Sequence, residues 1–221
     1  MFDEKIMKVF YEIYGAPLPR LAPGDTKSTR RALEMLYGED FDPPGPDFHV
    51  LDMGCGNGTP TLRLVAELGC RVVALENHQP YLDELERRAE AQGVAHLVET
   101  RCEDMNVMKV PDGSFDLVWS EGSAYNMGVA EALNTWRAYL KPGGALGYTE
   151  LVWFEDGIPD ECQAFFDEMY PPMTDEAGNL AIIEECGYDV VGRFRLPESS
   201  WRDGYLAPLA ARAKEFEPAP D

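Results

Sequence analysis

The sequence predicts an α/β domain built on a doubly wound, mostly parallel sheet with helices on both faces. Three observations carry that expectation. From residue 48 onward, short runs of apolar and β-branched residues alternate with longer segments of helical periodicity. The first of those runs, FHVLDM, passes directly into a glycine-rich loop and then a helix, the junction at which such sheets hold ligands. The 221 residues suffice for one domain with a sizeable core, so a single unit is expected over 1–221.

The elements follow in order. Residues 2–14 place Phe2, Ile6, Val9, Phe10 and Ile13 at helical spacing. GAPLPRLAPGD is then an irregular loop, after which Asp25 or Thr26 caps a helix to about Tyr37 with Ala32, Leu33 and Leu36 inward. The breaker-rich GEDFDPPGPD closes this N-terminal arm, taken as residues 1–46. In the core, 47–155, FHVLDM, RVVALE, HLVETR and FDLVWS read as four strands. The helices between them are TPTLRLVAELG, stopped by Gly69, and PYLDELERRAEAQG, started by Pro80 and stopped by Gly93. VAEALNTWRAYL is a further helix, followed by the turn KPGG and a long fifth strand, ALGYTELVWF. In the C-terminal portion, 156–221, helices over 160–187 break at Pro171 and Pro172. YDVVGRFRL then reads as a strand and GYLAPLAARAKEF as a last helix.

Composition excludes several function classes. Forty acids against 19 basics give a formal charge of −21, which repels phosphate backbones and anionic lipid. Neither nucleic acid nor a membrane is an expected partner, whereas a cationic or amine small molecule suits that charge. No apolar run approaches the roughly 20 residues of a membrane span, and the N-terminus lacks the marks of a signal peptide. Five cysteines without a C-x-x-C pair and three scattered histidines point to a reduced, cytoplasmic protein with no metal.

The chemistry gathers at VLDMGCGNG. Asp52, Gly54, Gly56 and Gly58 sit between a strand and a helix, where glycines let the backbone approach a ligand at the helix N-terminus. The dinucleotide fingerprint would put its third glycine at position 59, which is Thr59. The D-x-G-x-G-x-G pattern instead resembles the first motif of class I S-adenosylmethionine-dependent methyltransferases. Glu76 ends the second strand 24 residues after Asp52, near the offset of about 20 expected of an acid that accepts from ribose hydroxyls. PDGSFDLVWSEG and KPGGALGYTE resemble the fourth motif and the turn and strand after it. WSEGSAYNMG and YEIYGAPLPRLAPGD further resemble small bacterial methyltransferases, whose broader relatives include ubiquinone/menaquinone C-methylating and glycine- or sarcosine-type N-methylating enzymes.

That resemblance implies a Rossmann-like, seven-stranded sheet in the order 3-2-1-4-5-7-6, with the last strand either missing or lost by truncation, since the sequence stops at Asp221. It implies S-adenosylmethionine as cofactor and a small-molecule methyl acceptor. Asp52 would hold the methionine ammonium, Glu76 with Asn77 the ribose, and the Cys102 backbone with Glu103 the adenine. Arg101 stands where the family often has an aspartate. Ser120 and Tyr14 complete the cofactor set, Tyr14 as part of a lid with Tyr11 and Arg20. Glu121, Tyr125 and Asn126 are the candidate catalytic residues, with Glu150 and Trp153 nearby. Each has a plain alternative, with Glu121 capping a helix and the tyrosines and tryptophans packing in the core. An NAD-dependent oxidoreductase, or a non-catalytic cofactor-binding or scaffold protein of the same fold, remains open at this point.

Overall fold

Val50 and Leu51 are neighbours in the first strand, and both are fully buried. Val50 packs among Leu33, Leu64, Leu68, Leu82 and Leu85 on one face of the sheet. Leu51 packs among Met53, Leu75, Val118 and Trp136 on the other. A strand apolar on both faces needs helices on both, which is the doubly wound arrangement. The computed structural model describes residues 4–15, 17–155 and 157–215.

The chain begins with α1 (Glu4–Ile13) and α2 (Thr26–Tyr37). Asp25 caps α2, its Oδ1 accepting from the Ser28 amide at 2.7 Å. β1 (His49–Met53), α3 (Thr59–Leu68), β2 (Arg71–Glu76), α4 (Gln79–Ala91) and β3 (Val98–Cys102) follow. β4 (Phe115–Glu121), α5 (Val129–Tyr139) and β5 (Leu140–Thr149) complete the sheet. Its five strands are all parallel, in the order β3-β2-β1-β4-β5. The order reverses between β1 and β4, so the crevice past their carboxyl ends is the place for a ligand. Beyond the sheet come α6 (Asp160–Met169), α7 (Glu176–Glu185), α8 (Glu198–Trp201) and, after a π turn over Arg202–Leu206, α9 (Ala207–Glu215). No helix among the described residues is long and apolar enough to cross a membrane.

Several expectations need correction. Phe2 lies outside the described residues, and Ile6 and Phe10 of α1 are exposed, so its apolar stripe is only lightly covered. The KPGG turn is a bulge within β5, which starts at Leu140 and ends at Thr149 rather than Phe154. YDVVGRFRL forms no strand. In the implied order a sixth strand pairs only with a seventh, and no seventh strand exists among the described residues. Val190 and Val191 therefore stay exposed, and side chains hold the segment instead. Arg193 pairs with Glu176 at 2.5 Å, and Arg195 lies 3.9 Å above the Phe154 ring. An open groove of about 1880 Å³ runs between this segment and β5.

Candidate functional site

Gly54, Gly56 and Gly58 all have positive φ, at 71°, 54° and 79°. A side chain at any of them would be strained. Space is also short there, because a Cβ on Gly54 would lie 2.5 Å from Ser123 and one on Gly56 3.1 Å from Leu21. The loop turns tightly over Asp52, which is 1% exposed. Thr61 Oγ1 donates to Asp52 Oδ2 at 2.6 Å, while Oδ1 is buried with no hydrogen-bond partner among the described residues. Burial, the largest cause, pushes this carboxyl up to about 7; Glu121 adds to the rise, and Thr61 and Arg20 oppose it.

Glu76, at the end of β2, reaches the same loop. Its Oε2 accepts from the Gly56 amide at 3.2 Å, and its Oε1 from the amides of Asn77 at 2.8 Å and His78 at 3.1 Å. Burial raises its pKa, and those three amides hold it down. The Cα of Glu76 is in register with that of Cys102, so the ends of β2 and β3 adjoin. Cys102 and Glu103 are exposed there, and the Glu103 amide donates to Glu76 O at 3.1 Å. Arg101 pairs with Glu99 of its own strand at 2.8 Å.

The arm closes across this crevice. Tyr81 donates to Tyr14 O at 2.5 Å, Asn57 Nδ2 to Leu18 O at 2.5 Å and Thr59 Oγ1 to Pro19 O at 2.6 Å. Arg20 is buried and ion-paired with Glu121. Glu121 Oε1 also accepts from Trp119 Nε1 at 3.0 Å and from Thr29 at 3.2 Å. Its carboxylate therefore faces the arm, with three donors already engaged. Tyr14 stacks on Phe10 and shares a hydrogen bond with Tyr205 of the π turn, and Tyr11 stacks on His78 at 3.7 Å.

Two residues expected at the cofactor or the acceptor brace the loop after β4. Ser123 Oγ donates to Met53 O at 2.5 Å, so Ser120 Oγ, 2.7 Å away, must donate to Ser123. Asn126 Nδ2 donates back to Ser123 O at 3.1 Å. Tyr125 is 44% exposed and leans towards Tyr170, with ring centroids 5.7 Å apart. Thr61, Ser123, Tyr170 and Tyr205 were not anticipated. Ser123 lies within WSEGSAYNMG but was not singled out there, and only folding brings Thr61, Tyr170 and Tyr205 to the site.

The sheet order, the glycine loop and the two acids set the frame for comparison. Residues 50–144 match the model of a methyltransferase domain. The resemblance first read from the glycine loop is thereby borne out. A sarcosine/dimethylglycine N-methyltransferase of Halorhodospira halochloris is 32% identical over 127 residues, 57% of this chain and 46% of that protein. A sterol 24-C-methyltransferase of Aspergillus fumigatus is 34% identical over 102 residues, 46% of this chain and 27% of that protein. The chain thus spans under half the length of either relative. Among solved structures, a SAM-dependent methyltransferase of Geobacter sulfurreducens in complex with S-adenosyl-L-homocysteine superposes with a TM-score of 0.79. At 20% identity over 94% of this chain and 81% of that one, the likeness establishes the fold.

Proposed function

We propose that this chain transfers a methyl group from S-adenosylmethionine to a small-molecule acceptor. One observation carries the reading: a buried carboxylate, with Asp52 Oδ1 unpartnered among the described residues, lies under a three-glycine turn at the sheet's switch point. A cationic amino group is the complement such an atom lacks. The residues fit the cofactor's other parts as well. Glu76 accepts from ribose hydroxyls, and Asn77 flanks that contact. The amides of the Gly54, Gly56 and Gly58 loop border the amino-acid tail, and the Cys102 backbone with Glu103 borders the adenine. Bound there, the cofactor supplies a methyl carbon made electrophilic by its sulfonium.

The protein's own work is placement and exclusion of water. Tyr14 and the strap from Leu18 to Leu21 cover the crevice, and Ser120 and Asn126 hold the loop after β4 in shape. In this reading Glu121 is a positioning residue that locks Arg20 and the arm, while Tyr125 stays free to face the acceptor. Domain composition and relatives that methylate amines and sterols support the reaction class. The test is turnover: S-adenosylhomocysteine measured by mass spectrometry over a panel of amines, phenols, carboxylates and thiols. Acceptor-dependent product that falls in Asp52→Asn is expected. Cofactor binding without turnover on any acceptor would make the chain a binding or scaffold protein instead.

A further inference from the structure

Past the end of β5, Glu150 borders a cavity of about 370 Å³ bounded by α5, α7 and the loop after α6. Its Oε1 accepts from the Leu151 amide at 2.8 Å, and its Oε2 is buried without a hydrogen-bond partner among the described residues. The Tyr170 phenol lies beside it, and the Tyr125 ring leans on Tyr170. The Tyr125 phenol is raised by burial first, opposed by Asn126, and then raised by Glu150, Tyr14 and Glu76. Tyr125 therefore stands within electrostatic reach of both Glu150 and the cofactor crevice. Glu131 also borders the cavity, and no basic residue lines it among those described. An anionic group has nothing to pair with there. A cation would meet a carboxylate whose second oxygen has no partner among the described residues, beside the Tyr170 ring.

We propose that Glu150, Tyr125 and Tyr170 form the acceptor subsite and that it takes a small ammonium group. This rests on the methyl-transfer reading above. An ammonium nitrogen can accept a methyl only after an N–H bond breaks and leaves its electron pair on nitrogen. Glu150 Oε2 takes that proton as its new O–H bond, and the carboxylate becomes a neutral acid. Burial pushes Glu150 up to about 7 against the pull of the Leu151 amide and the Tyr170 hydroxyl, which suits a proton acceptor near neutral pH.

Choline and its uncharged isostere 3,3-dimethylbutan-1-ol are the probes. Each is titrated calorimetrically into the full chain, first alone and then saturated with S-adenosylhomocysteine. Choline is expected to bind at least about tenfold tighter than the isostere. Glu150→Gln should lose about tenfold for choline while its S-adenosylhomocysteine affinity stays put, and Tyr170→Leu should weaken choline with the charge intact. Equal or absent binding of the two probes by chain that binds S-adenosylhomocysteine overturns the ammonium subsite alone, as does unchanged choline affinity in Glu150→Gln. Failure to bind S-adenosylhomocysteine overturns the cofactor reading, and this proposal with it.

Discussion

At Asp52 a fully buried carboxyl has one oxygen held by Thr61 and the other by nothing described, and burial lifts it from 3.8 to about 7. An acid whose folded pKa is raised favours folding in its protonated form. Its contribution is whole below the unfolded value and is lost as pH rises towards about 7. Asp52→Asn should therefore melt higher than the parent above about pH 7, with the difference shrinking as pH falls, as thermal scans at several pH values would show. A bound ammonium inverts the preference, because it stabilises the ionised form. S-adenosylhomocysteine binding should then release a proton and tighten as pH rises from about 6 to about 8, which calorimetry in buffers of different ionisation heat reads directly. Asp52 and Glu76 were legible in the sequence because an acid at a fixed offset from a strand end is a local signal. The partners of Glu121 were hidden for the opposite reason. Its place at the end of β4 was evident, but its partners Arg20 and Thr29 lie about a hundred residues away, and only the folded arm shows that its oxygens are taken.

Among the elements, α3 and the arm carry separate loads. Leu64 and Leu68 of α3 are fully buried against the sheet, so Leu64→Ala should cost about 3 kcal/mol in urea denaturation through lost burial and a residual cavity. The arm depends on Arg20. Removing one partner of a buried pair leaves the other charge uncompensated, so Arg20→Ala should destabilise by about 3 kcal/mol and expose the strap. Faster chymotryptic cleavage at Tyr14, Leu18 or Leu21, reversed by S-adenosylhomocysteine, is the expected sign of a lid docked over the crevice. The core strands and helices were readable because period and breakers are local. The end of β5 and the fate of residues 188–196 were not, since pairing is decided by a neighbouring strand. Tyr188 and the valines after it have strand-like composition, yet they join no strand ladder among the described residues.

For the whole molecule, sheet order followed from chain order: two right-handed crossovers place β2 and β3 on one side of β1, and a reversal sends β4 and β5 to the other. The charge of −21 acts at the same scale. Self-repulsion among so many acids is screened by salt, so the melting temperature should rise between about 0.02 M and 0.5 M sodium chloride. The central claim, that the switch-point crevice is a S-adenosylmethionine site, is tested most directly by titrating the chain with S-adenosylhomocysteine, with NAD and Gly56→Val as controls. Saturable binding to the parent, none to NAD, and loss in a variant shown by circular dichroism to be folded is the expected result. Well-folded parent that does not bind S-adenosylhomocysteine, or binds NAD as well, would contradict it.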